Sequence, residues 1–227
     1  MYAQLNTKTV FSFMDATVKL TDYITAAKTL GYQTLGISDV DNLHAAHQFI
    51  TQAKAAGIQP VIGYETTLLL DGLAINFTFI AKTNAGLQNL YSISSKKNFG
   101  YNNFSDIHSH LGDVALILPA DSAVDSILTH LPSNDVFVGL AQPMAQGFLR
   151  PTIPFLSVRY LNAGDAETLA ILHHVKNGTK YDDSLTSNHF ESLLSESEVR
   201  ALFDQQSLKN LDRLVSEISY DIALDTL

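Results

Sequence analysis

The chain contains no cysteine and no tryptophan among its 227 residues. Without cysteine it can build neither a disulfide framework, a thiolate zinc site nor a cysteine nucleophile, and it suits a reducing cytoplasm, the expected location. Charge is sparse, at 16% of residues, and basic residues are the scarcer kind: 14 Lys and Arg stand against 23 Asp and Glu, for a net charge of −9 with the eight histidines neutral. A surface this acidic repels phosphate backbones, so no direct DNA binding is expected. Long apolar runs are missing too. Residues 114–118 (VALIL) are strand-length, far short of the roughly 20 residues that cross a bilayer, so no membrane contact is expected. The opening MYAQLN lacks the basic start and apolar core of a secretion signal. No Gly-rich phosphate cradle occurs, and the nine Tyr and twelve Phe are scattered without an interleaved basic stripe, which removes the usual basis for nucleic-acid stacking.

What is present is a 46% hydrophobic composition, enough to bury one sizeable core. The front half alternates strand and helix patterns. Residues 3–6 form a candidate strand. Leu20, Tyr23, Ile24 and Ala27 recur at helical spacing, with Thr21 as the expected N-cap and Gly31 as the stop. Residues 34–38 read as a buried strand, 42–56 as a helix ended by Gly57, and 59–63 as a third element of strand type. That order implies parallel pairing with right-handed crossovers. Residues 66–70 and 74–80 flank Asp71-Gly72 and predict a hairpin. A helix is expected over 84–95, strands over 114–118, 136–140 and 154–158, and helices over 165–176, 196–203 and 207–218. The Gly-, Asp-, Ser- and Thr-rich stretch 177–187 is the expected loop or boundary. The fold class is α/β: a barrel or open sheet over 1–176, then a loop and helical tail over 177–227.

In barrels of parallel strands, chemistry gathers at the strand C-termini. Those ends carry two acids, Asp39 and Glu65, and two cations, Lys8 and Arg159. The mixture is odd for an active site and sensible for a charge-balanced plug.

The same segments carry a resemblance. Residues 4–16 (QLNTKTVFSFMDA), 35–43 (LGISDVDNL) and 53–65 (AKAAGIQPVIGYE) resemble three successive motifs of the polymerase-and-histidinol-phosphatase, or PHP, family. Residues 81–90 (AKTNAGLQNL) and the trio Val158-Arg159-Tyr160 are similar to its polymerase branch, the N-terminal domain of bacterial DNA polymerase III alpha subunits of the Gram-positive type. The resemblance implies a distorted seven-stranded barrel. It also implies that the remaining domains of the same polymerase chain, and the replisome through them, are the partners. The magnesium of DNA synthesis would then belong to a polymerase domain outside this chain, with no cofactor in this one.

The departures from the family pattern are specific. Metal-binding members have two imidazoles where Asn6 and Lys8 stand, an Asp-His pair at Asp39-Val40, and Asp-x-His at Ser157-Val158-Arg159. A further histidine is matched by Asn76. Only the acids Asp39 and Glu65 survive. Val40 has no lone pair, the amides are weak ligands, and two like charges about 4 Å apart in a partly buried site repel by roughly 4 kcal/mol. The expectation is a dismantled metal site of Asn6, Lys8, Asp39, Val40, Glu65, Asn76, Ser157 and Arg159. In it no metal binds, no residue is catalytic, and Lys8, Arg159 or both neutralise the two acids.

Other chemistry-bearing residues read more plainly. His44 and His47 lie three apart on a helix, His108 and His110 precede a strand, and His173-His174 sits among Leu169, Leu172 and Val175; each set is expected to pack or be solvated. Ser12 and Asp15 lack a base and are expected to form a turn capping the next helix. Two rivals remain open. One is a metal-dependent phosphoesterase or 3′–5′ exonuclease with a divergent site. The other is an unrelated α/β barrel that binds a small molecule.

Overall fold

The computed structural model describes residues 2–121, 124–132, 135–144, 147–162, 164–180 and 188–220. Its elements run α1 (Leu20–Thr29), β1 (Thr34–Val40), α2 (Ala46–Ala55), β2 (Gln59–Leu70), β3 (Leu73–Ala81), α3 (Asn84–Asn98) and α4 (Phe104–Ile107). Then come β4 (Val114–Pro119), α5 (Val124–Leu128), β5 (Val136–Leu140), β6 (Thr152–Pro154), α6 (Asp165–Asn177), α7 (Glu196–Leu202) and α8 (Gln205–Ser216), with two single-turn 3₁₀ segments. The six strands form one sheet in chain order. β1 and β2 pair in parallel, β2–β3 and β3–β4 antiparallel, and β4–β5–β6 in parallel again.

Local sequence explains most boundaries. α1 buries Leu20, Tyr23, Ile24 and Ala27, one stripe of the helix. It starts earlier than expected: Lys19 is its N-cap without a side-chain bond, and Thr21 lies inside. α2 starts later, because Asn42 turns back to accept a hydrogen bond from the His44 amide instead of opening the helix. The two strands expected at 59–63 and 66–70 are one 12-residue β2. Its hairpin with β3 turns on Asp71 (φ 50°) and Gly72 (φ 82°), the left-handed pair that a tight hairpin requires.

The expected seventh regular strand is replaced by an irregular one. Residues 4–8 fill the gap between the two ends of the sheet. Gln4 and Thr7 accept hydrogen bonds from Gly36 and Ser38 of β1 at 2.6 and 2.9 Å. Asn6 and Lys8 bond Val158 at 2.9 Å each, beyond β6. Gln4 and Thr7 have opposite strand parity yet face the same neighbour, so the ladder breaks at Leu5 and only isolated bridges form. The segment thus links β1 to Val158, which follows the end of β6. Its approach to β1 depends on Gly36, where a Cβ would stand 2.8 Å from the Leu5 Cα and carbonyl oxygen. The last strand is also displaced, from the expected 154–158 to Thr152–Pro154.

α8 buries Leu208, Leu211 and Leu214 in the core that the barrel shares. The chain after α8 is strapped to the barrel: the Ser219 amide donates to the Lys82 carbonyl at 2.7 Å, the Tyr220 hydroxyl donates to the Ala81 carbonyl, and Lys82 Nζ pairs with Asp135 and Glu217. α6 is held differently. Its fully buried residue is Leu169, whereas Val175, expected to pack, is 60% exposed. Of the boundary expected at 177–187, residues 181–187 lie outside the described residues. Among the described residues no helix is long and apolar enough to cross a membrane.

Candidate functional site

The N-terminal segment and the ends of β1 and β2 bring Lys8 into the barrel. The side chain is fully buried, and its three N–H donors meet three acceptors: Asn6 Oδ1 at 2.6 Å, the Ser38 carbonyl at 2.5 Å and Glu65 Oε2 at 2.7 Å. Glu65 accepts further from Thr78 Oγ1 at 3.3 Å and Asn76 Nδ2 at 3.4 Å. Thr67 steadies that amide by donating to Asn76 Oδ1 at 3.0 Å. Thr78 and Asn76 stand opposite Glu65 and Thr67 in the β2–β3 register, so the hairpin pairing itself places these groups. Burial pulls the Lys8 ammonium below the usual lysine range, and the Glu65 carboxylate opposes that shift.

Asp39 is satisfied without a cation. Its Oδ1 accepts from the Thr9 amide at 2.6 Å and Ser12 Oγ at 2.7 Å; its Oδ2 accepts from Thr9 Oγ1 at 2.7 Å. Ser12 Oγ in turn accepts from the Val40 amide at 3.1 Å. Ser12 therefore ties its loop to the end of β1 rather than capping α1, as the turn reading had it. Val40 enters the network through its backbone alone. Thr9 was missed in the sequence. Hydroxyls at positions 9 and 12, flanking an acid-bearing strand end, were the signal available.

Of the two cations expected at the acids, Lys8 pairs with Glu65 and Arg159 goes elsewhere. It reaches neither Asp39 nor Glu65. Its guanidinium pairs with the Asp15 carboxylate, and Nη1 also donates to the Asp15 carbonyl at 3.1 Å. His173 Nε2 lies 3.3 Å and Lys176 Nζ 3.9 Å from Asp15 Oδ1, the first of them out of line for a hydrogen bond. Asp39 already holds three hydrogen bonds and Glu65 already holds the Lys8 ammonium, so neither is left without partners for Arg159 to neutralise. Ser157 is half-buried and takes no part in either network.

The donor set does not fit a divalent metal. The ammonium occupies the point on which Asn6, Ser38 and Glu65 converge, and a second cation there would face it directly. Among the described residues no three His, Cys, Asp or Glu side chains gather to hold a metal ion. His44, His47 and His108 are exposed, and His110, His173 and His174 are half-exposed.

The PHP domain family matches residues 4–142, more than half of the chain. The chain belongs to the PHP family. DNA polymerase III subunit alpha of Streptococcus pyogenes serotype M1 is 34% identical over 227 residues, covering 97% of this chain and 22% of that protein. The subunit of the same name from Staphylococcus epidermidis is 31% identical over 209 residues, or 85% of this chain and 19% of that protein. This PHP chain thus spans about a fifth of the curated relatives it matches. Among solved structures, an amidohydrolase from Chromobacterium violaceum superposes with a TM-score of 0.45 at 11% identity, over 85% of this chain and 88% of that one. Within a PHP barrel, Asn6, Lys8, Asp39, Glu65 and Asn76 share one end, with Arg159 on its rim.

Proposed function

We propose that this chain is a catalytically inert PHP module of a DNA polymerase III alpha subunit, in which a built-in ammonium has taken over the structural work of a metal. The observation that carries the reading is Lys8, fully buried and tridentate toward Asn6, Ser38 and Glu65. In a metal site, cations hold carboxylates that would otherwise repel one another or go unpaired in a low dielectric. Here a side chain does this for Glu65, and hydroxyls and an amide do it for Asp39.

DNA synthesis in this reading belongs to domains beyond the chain, together with its magnesium. Those domains are the module's main partners, and through them the replisome, in the cytoplasm. The curated relatives' names and their roughly fivefold greater length support it. Net charge of −9 supports the absence of direct DNA contact.

Dialysis against manganese or zinc followed by elemental analysis tests the inert site. Far less than one metal per chain is the expected result, and hydrolysis of a phosphate ester or of a DNA 3′ end should not rise with added metal. One tightly held ion per chain, lost in Glu65→Gln, would overturn the reading in favour of a metal-dependent phosphoesterase or exonuclease.

A further inference from the structure

The loop over residues 9–15 is fastened far more firmly than a surface turn requires. Thr9 and Ser12 make three bonds to Asp39, the Val10 amide donates to the Val18 carbonyl at 2.9 Å, and Asn42 Nδ2 donates to the Phe11 carbonyl at 3.0 Å. Yet its apolar side chains point outward: Phe13 is 75%, Val10 46% and Phe11 39% exposed. Holding large apolar groups rigidly in water has no benefit to this fold alone. It is the arrangement of a pre-organised contact surface, in which ordering costs are met before binding.

Charge indicates the occupant. Two residues from Phe13, Asp15 gathers Arg159, His173 and Lys176, a local excess of basic groups on a chain whose net charge is −9. Lys176 remains 45% exposed beside it. We infer that the anchored 9–15 loop is a docking site for a protein segment that presents an apolar side chain flanked by carboxylates. The apolar group would pack on Phe13 and Phe11, and the carboxylates would face Lys176 and His173. Asp39, the acid kept from the family's metal pattern, then acts as the loop's anchor. The inference rests on the polymerase reading only for where that segment is sought, in the longer chain or its assembly.

The test places a photo-reactive group in the complete encoded protein, Phe13→p-benzoylphenylalanine, and maps the cross-links by mass spectrometry. The expected product joins position 13 to an apolar residue within a few positions of Asp or Glu, outside residues 1–227. Its yield should fall about fivefold with Lys176→Glu and also in high salt. Ser12→Ala, which loosens the loop without touching the contact, should lower the yield less. Cross-links confined to a second copy of this chain or to added DNA, no product at all, or a yield indifferent to Lys176→Glu would each overturn the proposal. Primer extension by the same unmodified protein reports on the polymerase reading separately, so the two can fail independently.

Discussion

Lys8 and Arg159 are the two cations that the sequence places at strand ends, and the barrel treats them in opposite ways. Lys8 is carried inward by the N-terminal segment, fully buried, with each donor matched to one acceptor. Arg159 turns outward to Asp15 on the rim, where both side chains keep a fifth or less of their surface in contact with water. One position yields an internal ion pair that the fold cannot lose cheaply. The other yields a rim cluster whose partners overlap, since His173 and Lys176 approach the same carboxylate. The two cations therefore imply different energetics, and burial decides which is which.

The sharpest way to break the contrast is Lys8→Met. It removes the charge while keeping the bulk of the stem, and it leaves Glu65 and the acceptors of Asn6 and Ser38 without their donor. Removing one partner of a buried pair typically costs about 3–5 kcal/mol, and the urea midpoint should fall accordingly. Adding Glu65→Leu to Lys8→Met should restore part of the loss, because an unpaired buried charge is then no longer present. A cost for Lys8→Met below about 1 kcal/mol would place the pair in solvent-like surroundings and erase the distinction from Arg159.

Second in size comes Gly36→Ala. The buried position of Lys8 depends on how closely residues 4–8 approach β1, and Gly36 sets that distance, with Leu5 backbone atoms 2.8 Å from where a Cβ would sit. Backbone on backbone cannot be relieved by a rotamer change, so a loss at the upper end of about 1–3 kcal/mol is expected. If this approach and the burial of Lys8 are linked as argued, the additional cost of Lys8→Met should shrink in the Gly36→Ala background, measured as a double-mutant cycle.

How much of this was legible beforehand divides along the same line. The strand–helix alternation, the Asp71-Gly72 hairpin and the acids at the ends of β1 and β2 follow from short-range patterns, and the structure carries them. The break at Leu5 was not legible, because it arises from two neighbours at once, β1 on one side and Val158 on the other. Nor was the destination of Arg159. Choosing between Asp15 and the strand-end acids depends on which carboxylates already have partners, and that in turn depends on Thr9 and Ser12 reaching Asp39 from a loop. Which acids are already partnered is a property of the assembled network, which residue spacing does not encode.

Asp204 offers a third comparison, an exposed carboxylate that, like Asp39, is satisfied by neutral donors. The Ser207 hydroxyl and the amides of Ser207 and Gln206 hold its carboxyl below the usual range as it caps α8. A carboxyl depressed in the folded state stabilises above its unfolded value of about 3.9, and that contribution is lost as pH falls through the folded value. Asp204→Ala should therefore cost about 1 kcal/mol near neutrality, with a difference from the parent that narrows below pH of about 4. Urea midpoints at the two pH values check this, and a gap that widens on acidification would contradict the sign.

The smallest expected effect is the most informative about Arg159. Arg159→Gln removes a guanidinium whose partner Asp15 still has His173 Nε2 at 3.3 Å and Lys176 Nζ at 3.9 Å, with water at hand to solvate what remains. The pair is largely enclosed, at 20% and 17% side-chain exposure, so it is the two remaining basic neighbours rather than exposure that should keep the loss to about 1 kcal/mol or less. The change should respond more to salt than the Lys8→Met effect, because Arg159 keeps a fifth of its side chain exposed and Lys8 keeps none. Measuring both variants across ionic strength thus separates the two positions by mechanism as well as by magnitude. If Arg159→Gln were the costlier and the salt-insensitive one, the barrel's internal cation would be Arg159 and not Lys8.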